Sequence, residues 1–197
     1  MTVSLDARPI IIALAGPNGA GKSTFFAAHL QVAGLRFVNA DDFARELKLG
    51  AYEAAELANQ VRHALVASRE SFVFETVFSD PVGEKVEFLS AAARAGYAVV
   101  VCFIGLDDAR TSEQRVAMRV LQGGHDVPTE KLKLRFQRTL QNLQRAIREL
   151  PSVHIFDNTD LRQPFRKVAE FQDGKAVALF VPVPPWLKPQ QRTRKGR

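Results

Sequence analysis

Residues Gly16-Pro17-Asn18-Gly19-Ala20-Gly21-Lys22-Ser23 have the spacing G-x-x-x-x-G-K-[ST]. An uncharged apolar run, Ile10 to Ala15, precedes them and a helix-like stretch follows. No other feature constrains the fold as strongly, because the segment has to turn directly from a strand into a helix. Glycines let the backbone bend until successive N–H groups point at one spot, and the helix N-terminus adds its dipole there. Such a nest accepts phosphate. Lys22 then supplies a fixed cation for the β- and γ-phosphates of a nucleotide, and the Ser23 hydroxyl, followed by Thr24, suits a magnesium ligand. Gly16 to Thr24 are therefore the expected nucleotide-binding positions, with ATP and Mg2+ as cofactors.

Short apolar runs recur at 9–15, 36–40, 71–75, 98–104 and 153–156, with helix-like stretches between them. Ala54, Leu57, Val61, Leu65 and Ser68 keep a helical spacing, as do Leu132, Phe136, Leu140, Leu143, Ile147 and Leu150, after which Pro151 stops the helix. Alternation of this kind predicts a three-layer α/β/α sandwich around a five-stranded parallel sheet, with the ligand outside the carboxyl ends of the strands. Runs at 165–172 and 175–181 flank Asp173-Gly174, a dipeptide suited to a two-residue turn with φ > 0 at both positions, so a C-terminal β-hairpin is added. The 197 residues suit one domain, expected over 1–187, with a lid at about 110–138 and a basic tail at 188–197.

The net charge is +6, and Lys188, Arg192, Arg194, Lys195 and Arg197 account for five of those six units. The excess is mostly a tail with no interleaved aromatics, which argues against nucleic acid as partner. The longest uncharged apolar run, Ala95 to Leu106, is too short to cross a bilayer as a helix. A single cysteine, Cys102, leaves no internal disulfide to form and fits a reducing compartment, so a cytoplasmic location is expected.

Two acidic stretches fall at predicted strand ends. Asn39-Ala40-Asp41-Asp42-Phe43 places a carboxylate pair on the rim where a γ-phosphate would lie. One of the pair is a candidate base for the acceptor hydroxyl, and the other is expected to cap the helix starting near Phe43. Phe74-Glu75-Thr76 closes an apolar strand with an acid, a position for a contact to acceptor or to a magnesium-bound water. Arg110, Arg115 and Arg119 lead into Gly123, Gly124, His125, Asp126, Val127 and Pro128, with Arg135 and Arg138 on the next helix. Guanidinium groups match the charge that phosphoryl transfer spreads over oxygens, so this stretch reads as a lid. Replacement of Arg138 by lysine is expected to be nearly silent.

Taken together, Ala15-Gly16-Pro17-Asn18-Gly19-Ala20-Gly21-Lys22-Ser23-Thr24, Asn39-Ala40-Asp41, Phe74-Glu75-Thr76 and Arg119-Val120-Leu121-Gln122-Gly123-Gly124-His125-Asp126-Val127-Pro128 resemble the zeta toxin family. The chain is similar to its short, stand-alone members from about Pro9 to Asn158. The resemblance implies a nucleotide-kinase-like fold, ATP-magnesium as phosphoryl donor and, as in characterised zeta toxins, UDP-N-acetylglucosamine as acceptor. It places the phosphate-loop lysine on Lys22, the base on Asp41, substrate contacts on Asp41, Glu75 and Thr76, and a lid arginine on Arg119. The second lid arginine falls on Arg135, with Arg115 as the alternative. This chain departs from the pattern in its compactness, its short lid and the doubled Asp41-Asp42, which leaves the register open by one residue. The sequence identifies no antitoxin. A kinase for another metabolite or a nucleic-acid end, and a non-catalytic ATP-binding regulator, remain alternative readings.

Overall fold

The computed structural model describes residues 9–121 and 129–187. The glycine-hinged part of the expected lid, with Gln122, Gly123, Gly124, His125, Asp126, Val127 and Pro128, and the basic tail lie outside the described residues. In chain order the elements are β1 (Ile10–Ala15), α1 (Lys22–Phe25, prolonged by a wider turn to Leu30), β2 (Arg36–Val38), α2 (Ala40–Leu47), α3 (Ala51–Ala67), β3 (Phe72–Thr76), α4 (Glu84–Arg94), β4 (Ala98–Gly105), α5 (Ala109–Leu121), α6 (Thr129–Glu149), β5 (Ser152–Asp157), β6 (Arg166–Gln172) and β7 (Lys175–Leu179).

The strands form one sheet in the order β2-β3-β1-β4-β5-β6-β7. The first five are parallel, as the alternation of runs requires. The expected hairpin is present, but it is not an appendage. β6 pairs antiparallel with β5 and β7 with β6, so the five-stranded parallel sheet becomes a mixed sheet of seven. The physical reason is edge protection: β5 would otherwise leave a row of unpaired N–H and C=O groups open to water. Asp173 (φ 48°) and Gly174 (φ 78°) both take the left-handed conformation that the turn requires.

β1 is buried along its whole length, which explains its unbroken apolar run. Its alternate residues feed two cores. Ile11, Ala13 and Ala15 join Phe72, Phe74 and Phe103 beneath Leu65 of α3, Leu89 of α4 and Leu143 of α6. Ile10, Ile12 and Leu14 join Val100, Ile104 and Phe25 of α1 on the other face. A sheet with apolar side chains on both faces has to be covered on both, and that produces the three layers. It also leaves the carboxyl ends of β1, β3 and β4 as a common rim, from which the functional loops depart. Cys102 lies inside the second core, where burial pushes its thiol up to about 12, so it is an inert apolar side chain.

Two boundaries differ from expectation. The second strand ends at Val38, and the following helix begins at Ala40 rather than near Phe43. Neither aspartate is the cap: the Asn39 side chain accepts a hydrogen bond from the Asp41 N–H at 3.0 Å. Both acids instead occupy the first turn of α2, where the positive end of the helix dipole favours them.

Candidate active site

The loop between β1 and α1 is fixed from outside by two buried polar side chains. Ser112 of α5 is 1% exposed, and its hydroxyl donates to the Asn18 carbonyl at 2.7 Å. Asn158, just beyond β5 and 3% exposed, donates from Nδ2 to the Ala20 carbonyl at 2.8 Å and accepts the Phe165 N–H at 3.3 Å. A peptide unit is planar and trans, so pinning its C=O outward turns the next N–H to the opposite side. Ser112 and Asn158 thereby orient the N–H groups of Gly19 and Gly21. Those two positions must be glycine. Both have positive φ (73° and 86°), and a Cβ would lie 2.9 Å from the Arg115 Cβ at Gly19 and 2.8 Å from Asn158 Nδ2 at Gly21.

Lys22, 6% exposed, donates from Nζ to the Pro17 carbonyl at 3.0 Å and lies 3.6 Å from a carboxylate oxygen of Glu75. Burial pushes the Lys22 ammonium below its ordinary value, Glu75 and Asp41 pull it back up, and Arg119 pushes it down. The four charged groups therefore share one electrostatic neighbourhood although they come from α1, β3, α2 and α5. The other Glu75 oxygen accepts the Ser23 hydroxyl at 2.8 Å. β3 lies beside β1 with Glu75 opposite Leu14, which carries the acid to the foot of the loop.

Ser23 and Glu75 present hard oxygen donors side by side, a set that suits magnesium. Among the described residues no group of three or more His, Cys, Asp or Glu side chains could hold a metal alone. The ion would therefore take its remaining ligands from phosphate and water, as magnesium ordinarily does.

Asp41 and Asp42, indistinguishable by spacing, have different surroundings. Asp42 is tied to Arg45 at 2.7 Å, whereas the Asp41 charge is felt by Lys22. The arginines separate as well. Arg115 and Arg119 line a cleft of about 420 Å3 with Gly21, Thr24, Asn158 and Phe165. Arg115 also donates to the Thr159 carbonyl at 2.9 Å, and burial lowers its pKa. Arg135 lies elsewhere, in a second cleft of about 360 Å3 with Thr76, Asp80, Lys85 and Arg138. Arg138 is half-buried in the wall of the same cleft. Sequence reasoning missed Ser112, Lys85, Asp80 and the clamp made by Asn158. Ser112 acts on a residue 94 positions away, and no local pattern records that.

The phosphate loop, the acids at the ends of parallel strands and the strand order define a P-loop, kinase-like α/β protein. The chain belongs to the AAA_33 family of AAA domains, whose model matches residues 11–146. No curated protein matches it. Among solved structures it is similar to the AvrRxo1-ORF1:AvrRxo1-ORF2 complex (TM-score 0.68, 19% identity, 88% of this chain and 61% of that one). The same complex with ATP gives a TM-score of 0.63 at 19% identity, with the same coverage. The PezAT chromosomal toxin–antitoxin system of Streptococcus pneumoniae gives 0.61 at 16% identity, over 83% of this chain and 72% of that one. These likenesses establish the fold. The chain spans 61% of the length of the first of them.

Proposed function

We propose that the protein is an ATP-dependent kinase that transfers the γ-phosphate to the hydroxyl of a small molecule. The observation that carries this reading is the convergence of Lys22, Ser23, Glu75 and Asp41 at one end of the sheet, beside a loop whose N–H groups are held in place. A nucleotide-binding regulator needs the loop alone. An additional carboxylate on the Lys22 side of the rim is what a phosphoryl acceptor calls for.

In this reading the loop N–H groups and Lys22 bind the β- and γ-phosphates, and phosphate oxygens replace Glu75 as the principal partner of the ammonium. Ser23 and, through a water, Glu75 would hold magnesium, which would supply charge neutralisation to the phosphates. Arg115 and Arg119 border the nucleotide cleft, and Arg119, already within electrostatic range of Lys22, supplies charge to the transferring group. Asp41 orients the acceptor hydroxyl and takes its proton. Thr76, one residue beyond Glu75, faces the acceptor side.

For the acceptor, the resemblance to zeta toxins in Asn39-Ala40-Asp41 and Phe74-Glu75-Thr76 favours a UDP-amino sugar such as UDP-N-acetylglucosamine, with a cytoplasmic setting. Similarity in fold to PezAT, a toxin–antitoxin system, supports an antitoxin-like protein as a partner. No helix among the described residues is long and apolar enough to cross a membrane. The test is mass spectrometry of UDP-sugars, simple sugars, nucleosides and short oligonucleotides incubated with protein, ATP and magnesium. One added phosphate on the UDP-amino sugar is expected, with the rate in Asp41→Asn reduced roughly 10²-fold or more and Asp42→Asn much less affected. A reversed rank would make Asp42 the functional acid. Transfer to nothing, with ATP binding intact, would overturn the kinase reading.

A further inference from the structure

The second cleft lies between α6 and the segment that leaves β3, and its two walls are joined by buried hydrogen bonds. Thr139 of α6, fully buried, donates to the Val77 carbonyl at 2.7 Å. Asn142, one turn on and 7% exposed, donates from Nδ2 to the carbonyls of Phe78 and Asp80, both at 2.9 Å. Phe78 itself has φ 64°, a conformation that costs a bulky residue energy and that persists only where surrounding contacts enforce it. The cleft is therefore held open by the fold and does not depend on its ligand for shape.

Its charges are arranged unlike those elsewhere on the same helix. Arg145 of α6 is saturated: it pairs with Glu149 at 2.9 Å and Glu87 at 3.5 Å and donates to the Val82 carbonyl at 2.8 Å. Arg135 and Arg138, about two to three turns earlier and half-buried, make no ion pair or hydrogen bond with any other described residue. Lys85, with its side chain 19% exposed, completes the basic lining and is 3.3 Å from Glu84. Neither guanidinium has a counter-ion among the described residues, and a charge-assisted bond to an anion would complete both. The floor adds the opposite polarity. Asp80 accepts the Glu84 N–H through Oδ1, while its buried Oδ2 has no hydrogen-bond partner among the described residues.

We infer that this cleft binds a phosphate ester carried by the acceptor, with Arg135, Arg138 and Lys85 on the phosphate. The inference rests on the kinase reading for its word "acceptor", and it deepens that reading. Thr76 lines the cleft and directly follows Glu75 at the carboxyl end of β3, so the cleft adjoins the rim that carries Glu75 and Lys22. Remote binding energy of this kind positions a hydroxyl for transfer. The guanidinium fork favours the tetrahedral dianion of a phosphate ester, and carboxylates are the control class.

The experiment compares matched pairs by calorimetry with saturating ADP and magnesium, so that the phosphate loop is occupied: glucose with glucose 6-phosphate, N-acetylglucosamine with its 1-phosphate, uridine with UMP, and gluconate as a carboxylate. At least about tenfold tighter binding of each phosphorylated member is expected, as charge-assisted hydrogen bonds supply. The preference should shrink as salt rises. The double variant Lys85→Gln/Arg138→Gln should lose the preference and retain both the wild-type melting temperature and ADP affinity. Arg138→Lys should recover part of it. Equal binding of phosphorylated and neutral members, or a preference that survives the double variant, would overturn the inference. Failure of the wild type to bind ADP would instead sink the kinase reading, and the comparison of variant with wild type would still decide the cleft.

Discussion

The phosphate loop and the cleft beside α6 both present positively charged groups, and they are built by opposite means. The loop uses backbone N–H groups and one lysine, with its carbonyls tied to Ser112 and Asn158 and its lysine to Glu75 and Pro17. The α6 cleft uses side chains, with its carbonyls tied to Thr139 and Asn142 and its arginines left without partners among the described residues. A loop of amides offers the same partial charges to every nucleotide triphosphate. A cleft of long cations can be altered one residue at a time. On the proposed kinase reading, the difference would separate a donor site that has to be general from an acceptor site that has to be selective.

The largest test breaks the loop side of this comparison. Lys22→Ala removes its only fixed cation, and isothermal titration should show ATP affinity reduced by roughly 10²-fold or more, with no phosphoryl transfer detected. The α6 cleft should be indifferent, so the preference for phosphorylated over neutral sugars should persist in the same variant. Wild-type affinity for ATP would remove the loop from the mechanism.

A smaller effect sharpens the claim that the amides are oriented by their carbonyls. Ser112→Ala and Asn158→Ala each free one carbonyl of the loop, and a tenfold or so loss in ADP affinity is expected, on the scale of one to two hydrogen bonds. Adenosine, which lacks phosphates, should bind each variant as it binds the wild type. Ser112→Thr, which keeps the hydroxyl, should recover most of the loss. If ADP and adenosine weaken together, or melting temperature alone falls, the two side chains only support the fold.

Much of this was legible in the sequence, for a physical reason. The parallel strands announced themselves because burial on both faces demands unbroken apolar runs, as in Ile10 to Ala15. The loop was legible because close backbone approach to phosphate, Ser112 and Asn158 admits glycine alone at Gly19 and Gly21. Glu75 and Asp41 could be placed near Lys22 because segments at the carboxyl ends of neighbouring strands share one rim. What stayed hidden depends on contacts between distant segments. Asn39 outcompeted both aspartates as a cap because its side chain reaches the Asp41 N–H, and spacing alone could not rank the three. The split of the arginines could not be read either, since Arg119 and Arg135 diverge only once α5 and α6 are packed.

The smallest expected effect is a control placed away from both anion sites, at the junction of β5 with the antiparallel edge. His154 on β5 is half-buried, 3.1 Å from the Ser152 hydroxyl and 3.7 Å from Glu170 of β6. Burial pushes its pKa below the ordinary value of 6.5; Glu170 raises it and Lys167 lowers it, and the net shift is downward. The fold therefore prefers the neutral ring, and the unfolded chain takes up the proton first as pH falls. Stability from this residue is present above about pH 6.5 and is lost progressively as pH drops through the lower folded value, with a slope bounded by about 1.4 kcal/mol per pH unit. Glu170, held below its ordinary range by its hydrogen bond with Lys167, titrates at lower pH and leaves the window from 7.5 to 5.5 to the histidine. Thermal melts across that window should show a shallower decline for His154→Gln than for the wild type. ADP affinity and sugar-phosphate preference measured at the two limits should differ from wild type by less than about twofold in that variant. Coupling of His154 to either affinity would mean that the β5 edge communicates with the clefts, and their separation into two independent sites would have to be abandoned.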